Sequence, residues 1–261
     1  MEHHETIRRE FSKQAVFFGD KGLTLSSQEY LDWMVSILPL QPKFRVLDVA
    51  AGTAHLSRAI APHVREVVAL DMTPEMLEEA RRAIAQSGLH NIRLEEGDAR
   101  RLPYPDGSFD MVVSRLALHH FEEPAIQLGE MVRVCKPEHA VGIIDLLSPE
   151  DDALVAGYNH LERLRDPSHT IALTYVQLIR MMEDTGLSIT RTDRRDITVD
   201  FQRWVGMTRT DTQTIATMRK RLEQEVEGGP PTGMRPYRED GGLKFLQVWS
   251  VVVGVKCSCP Q

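Results

Sequence analysis

The chain has 261 residues, 42% of them hydrophobic and 26% charged, and a formal net charge of −7. That balance suits one large globular unit and argues against nucleic acid as a partner, because the basic residues are scattered among acids rather than gathered into a patch. Three cysteines, Cys135, Cys257 and Cys259, are too few for a disulfide framework. No apolar run approaches the roughly 18 residues of a membrane span, so a cytoplasmic protein without membrane insertion is expected.

In chain order, residues 5–18 and 27–38 read as two helices that must lie against whatever follows. From Phe44 the pattern is a strand "FRVLDV", a helix over 54–60, a strand "EVVAL", a helix over 74–86, strands "IRLEE" and "FDMVVS", a helix over 124–134 and a strand over 141–147. Such alternation predicts an α/β fold, a parallel sheet with helices on both faces. Thr73-Pro74 opens the second of these helices and Gly88 closes it, while "PDG" at Pro105 to Gly107 turns into a strand. After Leu147 the rhythm changes. Residues 148–182 are mainly helical with a break at "RDPSHT", 187–193 could form a strand, 211–226 a helix, and "LKFLQVWSVVVGV" a long last strand. "EGGPPTG" at 227–233 is a flexible connection, and "RKR" at 219–221 reads as a solvated helix face. The expected organisation is N-terminal helices forming a lid (1–40), a ligand-binding core (41–147), a helical cap (148–186) and the remainder of the sheet with its helices (187–261).

Ligands of an open parallel sheet sit beyond the carboxyl ends of the strands. Three of those ends carry an aspartate: Asp48 before the small-residue turn "AAGTA", Asp71 closing "VVALD", and Asp98 in "EEGDA". A dinucleotide is excluded, since its third glycine would fall on His55, which is too large for close helix-to-strand packing. Asp48 would also set a negative charge beside a pyrophosphate. A cationic, phosphate-free nucleoside suits these residues. Asp71 accepts from ribose hydroxyls, Asp98 from an adenine amine, and the Ala99 N–H donates to the ring. Met72 and Leu102 offer apolar faces to the base, Asp48 stands near an α-amino group, and the turn Ala50, Ala51, Gly52, Thr53 meets a carboxylate. The ligand with that chemistry is S-adenosyl-L-methionine.

The stretches "VLDVAAGTAHLS", "VVALDMTPEMLEEAR", "GDARRLPYPDGSFDMVVSRLALHHF" and "EMVRVCKPEHAVGIID" resemble, in order and spacing, the class I S-adenosylmethionine-dependent methyltransferases, and the whole chain is similar to the ubiquinone/menaquinone-biosynthesis-like branch. The resemblance implies a Rossmann-like seven-stranded sheet, mostly parallel with the last strand antiparallel. The family pattern D-x-G-x-G-x-G falls on Asp48, Ala50, Gly52 and Ala54, so two of three glycines are alanine. Ala54 is expected to sit at helical φ/ψ and to weaken binding at most.

Ser114 and Arg115 are expected to border the methionine end of the cofactor. His119, His120 and Phe121 should face the acceptor, with His120 preferred over His119 as a catalytic base. Phe11, Phe17 and Phe18 resemble an aromatic lid. Arg165 and His169, rigidly placed around Pro167, suit contacts at the rim of the acceptor pocket. The alternative for that segment is a helix stop with a new N-cap at Ser168. Met181 and Met182 are expected in a core, the C-terminal "CSC" lacks a second cysteine pair, and no metal is expected. The expected reaction is methyl transfer to a small, apolar molecule; a protein that binds the cofactor without methylating, or one that methylates a macromolecule, are the rival readings. The expected partner is the small-molecule acceptor, and a homodimer is an admissible assembly.

Overall fold

The computed structural model describes residues 2–15 and 24–257. Two helices come first, α1 (Glu2–Gln14) and α2 (Gln28–Ile37). Alternation then sets in with β1 (Arg45–Val49), α3 (His55–Ile60), β2 (Glu66–Asp71), α4 (Pro74–Ser87), β3 (Ile92–Glu96), β4 (Phe109–Arg115), α5 (Pro124–Val134) and β5 (Cys135–Leu147). The second half holds α6 (Asp152–Arg165), α7 (Tyr175–Asp184), β6 (Leu187–Asp200), α8 (Phe201–Met207), α9 (Thr212–Val226), β7 (Tyr237–Glu239) and β8 (Gly242–Lys256).

The strands order β3-β2-β1-β4-β5-β8-β6. Neighbours among β1 to β5 pair in parallel, and β8 runs antiparallel to both β5 and β6. The expected seven-stranded sheet with an antiparallel last strand is therefore present, and the short β7, paired to β8, adds an eighth strand that the sequence did not announce.

Alternate strand residues divide the core into two layers. Val46, Val67, Met111 and Val113 pack with Trp33 of α2, Leu56 of α3 and Tyr158 of α6, while Leu47, Val68, Leu70 and Val112 pack with Leu128 and Met131 of α5 and Met182 of α7. Strands covered on both faces need continuous apolar runs, which β1, β2 and β4 supply. Each fully buried leucine or methionine contributes about 1.5–3 kcal/mol, so the sheet faces dominate over helix propensity. The two helices of residues 148–186 belong to different layers, α6 to the first and α7 to the second. Thr73-Pro74 opens α4 and Gly88, at φ 70°, closes it, as the punctuation requires. Side chains of Asp151, Thr174, Asp200 and Asp211 cap α6, α7, α8 and α9.

Two features place the site. The chain runs outward from β1 through β2 to β3 and returns to β4 on the other side of β1, so a cleft opens beyond the carboxyl ends of β1 and β4. On the far side, the strand expected over 187–193 continues to Asp200. Its register with β8 runs unbroken from Thr192↔Val252 to Asp200↔Lys244, whereas β5 stops at Leu147↔Val248. The surplus of β6 and β8 therefore projects past the end of β5 and walls the cleft. Among the described residues no helix is long and apolar enough to cross a membrane.

Candidate active site

Between β1 and α3 the chain reverses sharply. Ala50, Gly52 and Ala54 all take positive φ, at 55°, 54° and 60°. The expected helical conformation of Ala54 is thus corrected: it is the left-handed N-cap of α3. Asp71, reaching over from β2, fastens this turn. One carboxylate oxygen accepts from Gly52 N and the other from Thr73 N, both at 2.8 Å. Burial raises the Asp71 pKa, against the pull of those amides. A Cβ built on Gly52 would meet nothing within 4 Å, so the turn presents an open backbone face.

Asp48 lies beneath the turn, 1% exposed, and accepts from the Ser57 hydroxyl at 2.5 Å. Burial pushes its pKa up to about 7, with the Ser57 bond and the Arg115 charge opposing. Its Oδ1, together with Thr53 Oγ1 and Arg115 Nε, is a buried polar atom with no hydrogen-bond partner among the described residues. Ser114 is spent on structure, donating to the Val49 carbonyl at 2.9 Å and tying β4 to β1. Arg115 donates to the Leu25 carbonyl at 2.7 Å and lies 5.8 Å from the centre of the Trp249 ring. Burial draws its pKa down to about 10 despite the neighbouring Asp48 and Asp145.

One cavity of about 330 Å³ joins these pieces. It is lined by the turn 50–53, Asp71, Met72, Arg115, His119, His120 and Phe121, by Phe11 and Gln14 of α1, by Thr198 and Gln247 on the projecting wall, by Trp204 of α8, and by Trp249, which still pairs with Leu146 of β5. Ala50, Met72 and Phe121 also border a smaller recess of about 70 Å³ that holds Asp98 and Ala99. Asp98 is gripped by Arg100 at 2.7 Å and lies 3.5 Å from His4 of α1. Burial alone would raise its pKa, and the Arg100 bonds bring it below the ordinary value. Phe17 and Phe18 fall outside the described residues.

The histidines divide by their partners. After β4, Leu116 takes φ 51° and the chain enters a short 3-10 turn, Leu118–His120. His119 Nδ1 is 2.5 Å from Asp145 Oδ1, and Asp145 in turn accepts from Leu118 N and Leu146 N, both at 2.7 Å. Burial lowers the His119 pKa, but the charge and hydrogen bond of Asp145 outweigh it and the net shift is upward. His120 Nδ1 meets the Ser168 carbonyl at 3.1 Å and its hydroxyl at 3.0 Å, and burial draws its pKa down to about 3. His169 is 3% exposed and bound to Asn159 Oδ1 at 2.8 Å, away from the cavity lining. Its neighbour Arg165 does line the cavity. Ser168 caps no helix; its hydroxyl donates to Asp166 at 2.5 Å, and α7 begins only at Tyr175.

Sequence reasoning thus missed Asp145, Trp204, Gln247 and Trp249. The aspartate inside the apolar run "VGIIDLL" was a usable signal, because an acid in a buried strand needs a partner. The other three left none: Gln247 depends on how far β6 and β8 outrun β5, and Trp204 and Trp249 reach the cavity only through long-range packing.

The orphaned polar atoms around the turn, the open face at Gly52 and the acceptors Asp71 and Asp98 along one trough fit a zwitterionic amino acid joined to a ribose and a base. Comparison with known proteins agrees. The methyltransferase-domain family matches residues 46–138. An uncharacterized methyltransferase, YcgJ of Bacillus subtilis, is 32% identical over 195 residues, which cover 75% of this chain and 77% of that protein. The crystal structure of YcgJ gives a TM-score of 0.81 at 27% identity, covering 89% of this chain and 100% of that one. The demethylmenaquinone methyltransferase of Listeria monocytogenes is 30% identical over 151 residues, 56% of this chain and 64% of that protein. The cyclase SpnF shares the fold alone, at 17% identity and a TM-score of 0.64 over 88% of this chain and 81% of that one. The chain belongs to the class I S-adenosylmethionine-dependent methyltransferases and is an enzyme of that family.

Proposed function

We propose that this enzyme methylates a small, largely apolar molecule held between the Ala50–Ala54 turn and the projecting wall of β6 and β8. Continuity carries the reading: a single cavity is lined by Gly52 and Asp71, by Thr198 and Gln247 of the wall, and by Trp204 and Trp249 beside it. Its partial enclosure and the net charge of −7 favour a small acceptor over a macromolecule.

In this reading Asp71 keeps lone pairs for the ribose hydroxyls, Asp98, Ala99 and Met72 take the base in the smaller recess, and the Thr53 hydroxyl with Arg115 takes the carboxylate, since Gly52 N and Ala51 N are spent on Asp71 and the Leu70 carbonyl. Asp48 acts from beneath the turn through its charge on Arg115. Bound S-adenosyl-L-methionine supplies an electrophilic methyl group on a sulfonium. The chain's own contribution is alignment and the handling of one proton. Asp145 fixes the His119 ring with Nδ1–H towards itself, which leaves Nε2 to accept a proton from the acceptor. The weight placed on His120 from sequence moves to His119, since both polar groups of Ser168 engage His120 and its burial disfavours charge.

Calorimetry with S-adenosylhomocysteine tests the cofactor half. Asp71→Asn, which keeps one acceptor for the turn, should weaken binding roughly ten- to hundred-fold. Unchanged affinity would remove Asp71 from the ribose. For the proton, kcat/KM should rise with pH through a value above the ordinary histidine pKa, because His119 accepts a proton only when neutral and its pKa is raised. His119→Gln should lower kcat/KM about 10²–10⁴-fold and flatten that limb. A wild-type profile already flat there would rule out a histidine base.

A further inference from the structure

The geometry points to an acceptor that carries an oxyanion, a carboxylate or phosphate group on a planar apolar body, with Arg165 as the residue that reads it. This rests on the assignment of the wall side of the cavity to the acceptor.

Arg165 ends α6 and lines the cavity with its side chain 14% exposed. Its guanidinium lies 5.3 Å from the centre of the Trp204 ring, and its Nε donates to the Trp204 carbonyl at 3.3 Å. A guanidinium has five N–H donors in a rigid fork, so one bond to a carbonyl leaves most of them unspent. The nearest carboxylate does not absorb them. Asp166 comes only to 4.0 Å, and its own oxygens already accept from Ser168 N, from the Ser168 hydroxyl and from Gln14. The arginine is thus held beside an indole, and its terminal nitrogens, with Asp166 at 4.0 Å, keep donors for a bidentate oxyanion.

The surroundings agree in charge and shape. Arg115, Arg203 and Lys244, the last paired with Glu239, line the same cavity, while the acids on that side, Asp166 and Asp200, are engaged by the backbone amides of Ser168 and Arg203. Trp204 and Trp249 supply the apolar faces for a planar body, and Gln247 is already tied to Glu162 at 2.7 Å and to Trp249 at 3.2 Å.

The test uses 1-naphthoate, 1-naphthyl phosphate and neutral 1-naphthamide, each titrated against the S-adenosylhomocysteine complex by tryptophan fluorescence. At least one anion should bind roughly ten- to hundred-fold tighter than the amide, and the preferred anion tells carboxylate from phosphate. Arg165→Gln should erase that preference while leaving the affinity for S-adenosylhomocysteine within about twofold. Arg165→Lys, which keeps the charge and loses the fork, should fall between and serves if the glutamine variant does not fold. Equal binding of amide and anions, no anion binding by about 1 mM, or an anion preference that survives both substitutions would overturn the proposal. Loss of S-adenosylhomocysteine binding by the wild type would instead strike the assignment of the cavity itself.

Discussion

Ala50 and Ala54 occupy the left-handed region in which an L-residue loses about 1–2 kcal/mol relative to its relaxed conformation. Glycine would relieve that strain, offset by about 0.4–1 kcal/mol of extra freedom in the unfolded chain. For half-buried Ala50 the balance favours Ala50→Gly by up to ~1 kcal/mol, seen as a raised urea midpoint. Ala54 differs because its methyl is fully buried against Ala69 and Ala80, and losing it costs about 0.8 kcal/mol. Ala54→Gly should therefore change stability little. A loss at position 50 would show the turn relaxed with alanine in place, whereas a large gain at position 54 would show strain that outweighs the burial of its methyl. Three acids at strand ends announce such a site in sequence, but alanine does not announce a positive φ, so the strain was invisible. Nor could adjacency choose between His119 and His120; the proposed preference for His119 rests on Asp145, brought in from β5.

At the scale of elements, α1 is pinned across both cavities. His3 meets the His120 carbonyl at 2.9 Å, His4 approaches Asp98, Gln14 donates to Asp166 at 3.2 Å, and the Phe11 ring stands edge-on to His120 at 4.8 Å. If the recess beneath it, as proposed, takes the base of the cofactor, α1 is the element whose mobility the ligand should restrict. Trypsin cleavage after Arg8, Arg9 and Lys13 should slow several-fold when S-adenosylhomocysteine is present, as mass spectrometry of the digest would record. Equal cleavage would mean that α1 moves independently of the ligand. The core strands were legible because burial on both faces demands unbroken apolar runs. β6 beyond Asp193, α8 and β7 were not, for an exposed strand carrying "RRDITVD" looks polar and a helix of seven residues shows too few turns for a period.

For the whole molecule, the buried histidines link stability to acid. His169 has its folded pKa depressed to about 2, so below the unfolded value of 6.5 the unfolded chain takes up a proton that the native state refuses. Its contribution is complete above 6.5 and is lost as pH falls towards 2, at about 1.4 kcal/mol per pH unit for one proton. Buried Asp48, raised to about 7, acts in the opposite sense, favouring the folded state as pH falls below 7. The wild-type profile mixes these with His120, which burial also draws down to about 3, and the difference between wild type and His169→Gln isolates His169. That variant should regain roughly 2 kcal/mol relative to wild type between pH 6.5 and 5, measured by urea midpoints. A pH-independent difference would mean that His169 is charged in the folded state. The same long β6 has a further effect at its outer side. It closes one end of the sheet as β3 closes the other, and both carry exposed charged residues: Arg191, Arg194, Arg195 and Asp196 on β6, Arg93 and Glu96 on β3. Strand ends of that kind repel edge-to-edge pairing, which protects concentrated solutions from aggregation through sheet extension.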